Sequence, residues 1–449
     1  ARRVHDQGHE LLLTVDNGIG SIDGVAEAMR LGLTVVVTDH HLPGDVLPTP
    51  HATVHPNQPG RGFASKHMAG VGVMFYVLLA LRAELRGRGV FDASNQPKLD
   101  TLLPLVALGT VADVVKLDAN NRRLVAQGLQ RIRKGHMQAG IRGLYEAAGK
   151  TYSQAATSDF GFALGPRINA AGRLADMTIG IECLLTDNDA KALELAQALT
   201  RINRDRQEME SGMRMQAFAL ADELFEDGVT PPAAISVFDP DFHEGVVGIV
   251  ASRVKDRLHR PTFVFAASQA DGKSHELKGS GRSIPGFHLR DALDLVAKRH
   301  PGVLLRFGGH AMAAGCTIME DQFHAFERAF AQVAQEWLDA STLTRCVETD
   351  GPLDPAFRQA EVVERLNLEV WGQGFAAPTF SEDVEVISQR RVAEKHLKLQ
   401  LRHRGDVVDG IWFGRTEPLP DWVHMAFRLD INEFRGERKV QFLVEGTEG

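Results

Sequence analysis

Cysteine is scarce in this 449-residue chain: Cys183, Cys316 and Cys346 stand far apart and without metal-type spacing. Neither a disulfide framework nor a thiolate metal site is expected, and a reducing cytoplasm is the natural compartment. Long apolar runs are missing too. The uninterrupted apolar stretches fall far short of a membrane span, and no charged-then-apolar leader opens the sequence, so no membrane partner is expected. Surplus positive charge is also absent. A net charge of −8 rules out a wholesale basic coat, yet a local basic groove can still coexist with an acidic exterior.

What remains is a globular chain, 44% apolar, with length for roughly two to four domains. The runs Leu11 to Val15 and Leu33 to Thr38 read as strands covered on both faces, and the helical stretch Ile22 to Leu31 between them makes a βαβ unit. The first run ends on Asp16, the second on Asp39-His40-His41. Ligands bind at the carboxyl ends of parallel strands in open α/β sheets. Hard carboxylate oxygens mixed with imidazole nitrogens suit Mn²⁺, Mg²⁺ or Zn²⁺.

Further along, a helix is expected from Ala69 through Leu85. The segment Leu102 to Val115 is apolar apart from Thr110 and Asp113. A lone carboxylate there needs a partner, so Asp113 reads as a helix cap, a satisfied core residue or a third metal ligand. Residues 158 to 176 mix Gly, Arg and Asn and read as a Gly-rich loop suited to a polyanion, with Arg167, Asn169 and Arg173 as contacts. From Asp189 to about Phe225 there is no Pro and one Gly, which gives one amphipathic helix of roughly 55 Å. It is expected to start at Asp187-Asn188, to stop at Asp227-Gly228 and to connect domains. Its Arg201, Arg204 and Arg206 read by default as solvated charges.

Pro231-Pro232 opens a second α/β unit, with strands at Ala233 to Phe238 and Thr262 to Ala266, that ends near Leu338. Between residues 278 and 310 it carries six Lys or Arg against two acids. Lys278-Gly279-Ser280-Gly281-Arg282-Ser283 and Phe307-Gly308-Gly309-His310-Ala311 read as loops where bare backbone N–H groups reach a phosphate, or simply as turns. Arg282, Ser283, Gly309 and His310 are the named anion contacts. Five short strand-like runs after residue 346 suggest an oligonucleotide-binding type barrel. Its basic stretch from Ile387 to Arg404, near Trp412 and Phe413, reads either as a single-strand groove or as a charge-protected edge strand.

Taken in order, Val15-Asp16-Asn17-Gly18, Thr38-Asp39-His40-His41-Leu42-Pro43-Gly44, Gly109-Thr110-Val111-Ala112-Asp113-Val114-Val115, Gly281-Arg282-Ser283 and Gly308-Gly309-His310 resemble the motifs of the DHH phosphoesterase superfamily. The whole chain is similar to its RecJ branch, single-strand-specific 5′→3′ DNA exonucleases. The resemblance implies a DHH domain over 1–186, a linking helix over 187–228, a DHHA1 domain over 229–340 facing it across a cleft, and an oligonucleotide-binding barrel over 346–449. It implies that Asp16, His40 and Asp113 bind Mn²⁺ or Mg²⁺, with Asp16 bridging two metals in the full-length protein. Asp39 would orient an imidazole, His41 would touch the scissile phosphate, and Arg282 and His310 would hold phosphates. The implied reaction, in DNA repair and recombination, is attack of metal-activated water on a phosphodiester of single-stranded DNA with a 5′ end. A single-strand-binding protein or helicase is the implied partner.

The superfamily's earlier Asp-x-Asp strand has no counterpart before Leu11, and the chain opens at Ala1 on a helix end, Arg2 to His9. A fragment with impaired hydrolysis is therefore expected. Two other readings stay open: a DHH phosphoesterase acting on short oligonucleotides or cyclic dinucleotides, and a non-catalytic single-strand-binding scaffold.

Overall fold

The computed structural model describes residues 1–44, 46–58, 60, 62–222, 232–270, 272, 275–434 and 437–448. They fall into two compact units: 1–168, 178–198 and 347–449 form the first, 169–177 and 199–346 the second. No helix among them is long and apolar enough to cross a membrane.

In the first unit, strands β1 (Leu11–Val15), β2 (Thr34–Thr38) and β3 (Ala52–Val54) form a parallel sheet in that order. The helix Ile22–Arg30 crosses from β1 to β2 and buries Val25 and Ala28 against Val35 and Val37. Coverage of β1 departs from expectation. Leu11, Leu13 and Val15 are exposed, because β1 is the edge strand and the helix packs on the other face, where Leu12 meets the core. Helices Gly70–Gly87, Leu103–Ala112 and Ala119–Arg133 follow. Residues 158 to 174 are a second departure: the expected loop is helical, with a π-helical turn over Phe160–Leu164 running into the helix Gly165–Leu174. Packing overrides the poor helix propensity of its glycines. At Gly165 a Cβ would lie 2.7 Å from the Phe160 carbonyl and 3.2 Å from Ala112 Cβ, so only glycine lets this turn close against the neighbouring helix.

The 34-residue helix Asp189–Asp222 runs from the first unit into the second; its expected stop at Asp227-Gly228 lies outside the described residues. The second unit holds β4 (Ile235–Phe238), β5 (Thr262–Ala267), β6 (Glu276–Arg282), β7 (Arg306–Gly309) and β8 (Ala313–Met319), in sheet order β4-β5-β6-β8-β7. Phe263, Phe265, Phe326 and Phe330 are fully buried in its core. The run expected to be a glycine loop at 278 to 283 is strand β6 instead. A Cβ at Gly279 or Gly281 would lie 2.4 Å from the ring of Phe265 or Phe263, so these glycines make room for phenylalanine on the adjoining strand. Arg206 also departs from expectation. It is buried, bonded to Asn203 and paired with Glu210, whose second oxygen meets Arg253. Burying the guanidinium is tolerable because its charge is matched in place.

The C-terminal strands β9 (Phe380–Val392), β10 (His396–His403), β11 (Asp406–Phe413), β12 (Trp422–Phe434) and β13 (Glu437–Thr447) close into a barrel in the order β10-β11-β13-β12-β9. Leu397, Leu399, Leu401, Met425, Phe427 and Phe442 fill it. Closure removes the edge, so edge protection does not explain the basic run. Three of its charges pair along the wall instead: Lys398 with Asp409, Arg402 with Glu385 and Arg404 with Glu382.

Candidate metal centre

Parallel pairing of β1 with β2 brings Val15 opposite Thr38, so the residues that follow both strands emerge at one edge. The Thr38 hydroxyl donates to the Thr14 carbonyl at 2.7 Å and ties the two ends together. Asp16 then turns with φ 57°, a left-handed conformation uncommon for a residue with a side chain. Helix Gly70–Gly87 begins beside it. A Cβ on Gly70 would sit 2.3 Å from Asp16 Oδ1, so glycine at this helix start gives the carboxylate its space.

His40 Nε2 is the meeting point. Asp16 Oδ1 lies 2.9 Å away and Asp113 Oδ2 3.2 Å away. Asp113 reaches this point as the residue that ends helix Leu103–Ala112, so it is both a helix cap and a member of the cluster. Although buried, Nε2 makes no aligned hydrogen bond with either oxygen. Adjacent ligands on an octahedral cation at about 2.1 Å stand roughly 3 Å apart, so the spacing suits Mg²⁺ or a cation of similar demands. An orphaned imidazole nitrogen between two carboxylates is a donor set that fits a divalent metal. His41 offers a further nitrogen, with the ligand atoms of Asp16, His40 and His41 all within 4.8 Å of one another.

Charge follows the same geometry. Burial alone would lower the pKa of His40, but Asp16, Asp113 and Asp39 outweigh it and hold it above the ordinary value. Asp113 is raised, by burial first and then by the like charge of Asp16, with His40 opposing. A cation among these groups would relieve both effects.

Asp39 is buried behind the cluster. Its Oδ2 accepts from the Ile19 N–H at 2.9 Å, and Oδ1 from the N–H groups of His40 and His41 at 2.7 and 3.1 Å and from His41 Nδ1 at 2.7 Å. Burial works to raise its pKa, but these donors outweigh it and keep the carboxylate charged. With Nδ1–H given to Asp39, His41 keeps Nε2 free of that bond on a half-exposed ring. His55 supports the same residue: its Nδ1 accepts from the Asn57 N–H, so Nε2–H donates to the His41 carbonyl at 2.7 Å.

The remaining residues singled out in the sequence lie elsewhere. Arg167 donates to the Ala163 carbonyl at 2.8 Å, and Asn169 is exposed. Arg173 and Arg282 belong to the second unit, where burial and then the like charge of Arg173 lower the Arg282 pKa. Among the described residues neither pairs with a carboxylate. Ser283 departs from its expected role. It is buried, its hydroxyl donating to the Phe287 carbonyl and its N–H to that of Met312, so both groups are committed to the fold. Gly309 sits in β7 at φ 139°, where a Cβ would strike Ala314 at 2.4 Å, so the position requires glycine on steric grounds. His310 is exposed beyond it. Gly70 and His55 carried no signal in the sequence, because each matters only through an approach made in three dimensions.

A parallel sheet ending in Asp and Asp-His-His, with a carboxylate brought in from a helix end, defines a phosphoesterase of the DHH class. Residues 2–110 match the DHH family N-terminal domain, 230–336 the DHHA1 domain and 349–446 the RecJ OB domain. The chain belongs to the RecJ family. It is 49% identical to the single-stranded-DNA-specific exonuclease RecJ of Escherichia coli strain K12, over 99% of this chain and 78% of that protein. Identity to the Haemophilus influenzae protein of the same description is 46%, over 100% and 79%. The crystal structure of Thermus thermophilus RecJ in complex with Mn²⁺ superposes with a TM-score of 0.82 at 32% identity, covering 100% of this chain and 63% of that one. The Mg²⁺ complex of the same protein gives 0.74, over 98% and 61%.

Proposed function

We propose that the chain is a metal-dependent exonuclease that removes nucleotides from the 5′ end of single-stranded DNA, in repair and recombination within the cytoplasm. The observation that carries this reading is the buried His40 Nε2, set 2.9 and 3.2 Å from two carboxylate oxygens without an aligned hydrogen bond, in a chain of the RecJ family. Asp16, His40 and Asp113 would hold Mn²⁺ or Mg²⁺, with Asp16, the most exposed of them, available to bridge a second ion. A bound divalent cation supplies an acidified water as nucleophile and neutralises charge that grows on the phosphate.

The protein's own groups do the rest. Asp39 fixes the His41 ring by accepting from Nδ1–H, so Nε2 can donate to a non-bridging phosphate oxygen when the ring carries both protons. His55 holds the backbone that carries it. From the second unit, Arg173 and Arg282 are neighbouring cations without carboxylate partners among the described residues, an arrangement that favours phosphate; His310 adds a donor. The closed barrel, with Phe413 exposed beside Arg415 and Trp412, supplies a surface for bases and backbone. A helicase or single-strand-binding protein would present the DNA end.

The test is Mn²⁺-dependent release of nucleotides from 5′-phosphorylated single-stranded DNA, run beside a chain extended upstream with an Asp-x-Asp strand. Release by either form, lost on chelation, supports the reading. Salt-sensitive binding with no cleavage in either form would replace it with a binding scaffold.

A further inference from the structure

The segment that follows Asp113 is held from the C-terminal side of the sequence. Val114 stands at φ 59°, a left-handed conformation that a β-branched residue adopts only under strain. Such a turn persists when its surroundings over-determine it. On one side the restraint is helix Leu103–Ala112, whose ladder still reaches Asp113 and Val114 through the carbonyls of Gly109 and Val111. On the other side it is a strap, residues 370–375, that precedes the barrel strands.

Four residues beyond Asp113, the Leu117 N–H donates to the Gln373 carbonyl at 2.7 Å. Gly372 and Gly374 lie against the same stretch. A Cβ on Gly372 would meet Leu117 Cδ1 at 2.7 Å, and one on Gly374, itself at φ 70°, would meet Lys116 Cγ at 3.2 Å. Gly372 and Phe375 exchange backbone hydrogen bonds of 2.9 and 3.0 Å, so the strap is a closed turn with a fixed shape. Its far side is pinned as well. Trp371 and Phe375 stack at 5.4 Å with planes 8° apart, and the Arg122 guanidinium lies 3.6 Å from the Phe375 centroid. Arg133 donates to Leu368 at 3.0 Å.

We infer that this strap is a positioning device for the metal ligand Asp113: closure of residues 370–375 on Lys116 and Leu117 holds the strained turn at Val114 and sets the carboxylate's distance to His40. Affinity for the divalent cation is thereby coupled to docking of the C-terminal segment. The inference rests on Asp113 being a metal ligand.

The experiment measures Mn²⁺ affinity by the paramagnetic resonance signal of free Mn²⁺, without DNA, on the whole chain. The variants are Phe375→Ala, Arg122→Ala, their double mutant, Gly374→Ala and, as reference, Asp113→Asn. Positioning groups behind metal ligands typically change affinity 10–100-fold, so about tenfold weaker binding is expected for Phe375→Ala and for Arg122→Ala. The double mutant should lose little beyond either single change, because both open the same clamp. Gly374→Ala keeps the aromatic stack and presses on Lys116, so it tests the clamp even if Phe375→Ala loosens the barrel. Wild-type Mn²⁺ affinity in these variants, with Asp113→Asn weakened, would overturn the strap's role, and a lowered melting temperature alone would mark it as merely structural. Wild-type affinity in Asp113→Asn would instead overturn the ligand assignment on which the inference stands.

Discussion

The two sheets of this protein are built to different standards. In the first, β1 leaves Leu11, Leu13 and Val15 exposed, and left-handed turns at Asp16 and Val114 flank its chemistry. In the second, four fully buried phenylalanines pack ring against ring, and even the glycines of β6 are there to admit them. Reactive groups sit where packing is thin and the backbone strained, and volume specifies the sheet that, among the described residues, carries no metal cluster. Substitutions in the two regions should therefore separate cleanly into losses of metal chemistry and losses of stability.

The largest effect belongs to Asp113→Ala. Removing one of three converging ligands should cut Mn²⁺-dependent cleavage by at least ~10³-fold, since a bound cation contributes several kcal/mol to the transition state. Single-strand binding, followed by fluorescence anisotropy, should stay near wild type. Cleavage that survives would take Asp113 out of the centre.

Phe263→Ala should do the converse. Truncating a fully buried ring that touches Phe265, Phe326 and Phe330 is expected to destabilise the second unit by about 3–5 kcal/mol in urea unfolding. Gly281→Ala should cost about 1–3 kcal/mol by overpacking the same ring. Neither should move Mn²⁺ affinity; if Gly281→Ala weakens DNA binding with stability intact, the glycine serves the ligand and the contrast between the sheets fails.

Gly70→Ala sharpens the comparison from the other side. A methyl 2.3 Å from Asp16 Oδ1 must displace the carboxylate, so Mn²⁺ should bind about tenfold more weakly while the melting temperature holds. Arg282→Ala is expected to lower affinity for single-stranded DNA modestly and to reduce its salt slope by about one phosphate contact. An unchanged slope would remove Arg282 from the phosphate contacts.

These expectations also mark how far sequence reaches. Asp16, Asp39, His40 and His41 could be picked out because they end apolar runs, and strand periodicity alone says which edge such residues share. The barrel was legible through its alternating strands. Residues 158 to 174 were not, because Gly and Pro locally favour a loop and only contact with Ala112 and Phe160 makes the helix close. Gly279 and Gly281 were misread for the same kind of reason: a glycine cleared for a phosphate and a glycine cleared for Phe265 look alike until the neighbouring strand is placed. Gly70, His55 and the strap at 370–375 depend on contacts between distant positions, and no local pattern encodes them.

The smallest effect lies in the barrel and is set by pH. His403 is fully buried, its Nδ1 2.7 Å from Arg358 Nη1 and its Nε2 3.0 Å from Glu382 Oε2, with Arg404 on the same carboxylate oxygen. Because Arg358 can only donate, Nδ1 must be unprotonated and Nε2 must carry the hydrogen. Burial lowers the pKa, Glu382 opposes it, and Arg358 and Arg404 side with burial, so the net value lies below the ordinary one. A histidine depressed in the fold binds its proton more readily when unfolded. Its contribution is therefore complete above the unfolded pKa of about 6.5 and disappears as pH falls through the lower folded value. Thermal unfolding followed by tryptophan fluorescence, to which Trp371, Trp412 and Trp422 of this region contribute, should lose stability between pH 7 and pH 5. His403→Gln should be less stable at pH 7 and should flatten that slope, because glutamine cannot titrate. A slope as steep in the variant as in the parent would assign the pH dependence to other histidines, buried His55 in the first unit or partly buried His259 in the second, both of which burial also depresses. In that case the sensitivity would follow the α/β units and not the barrel.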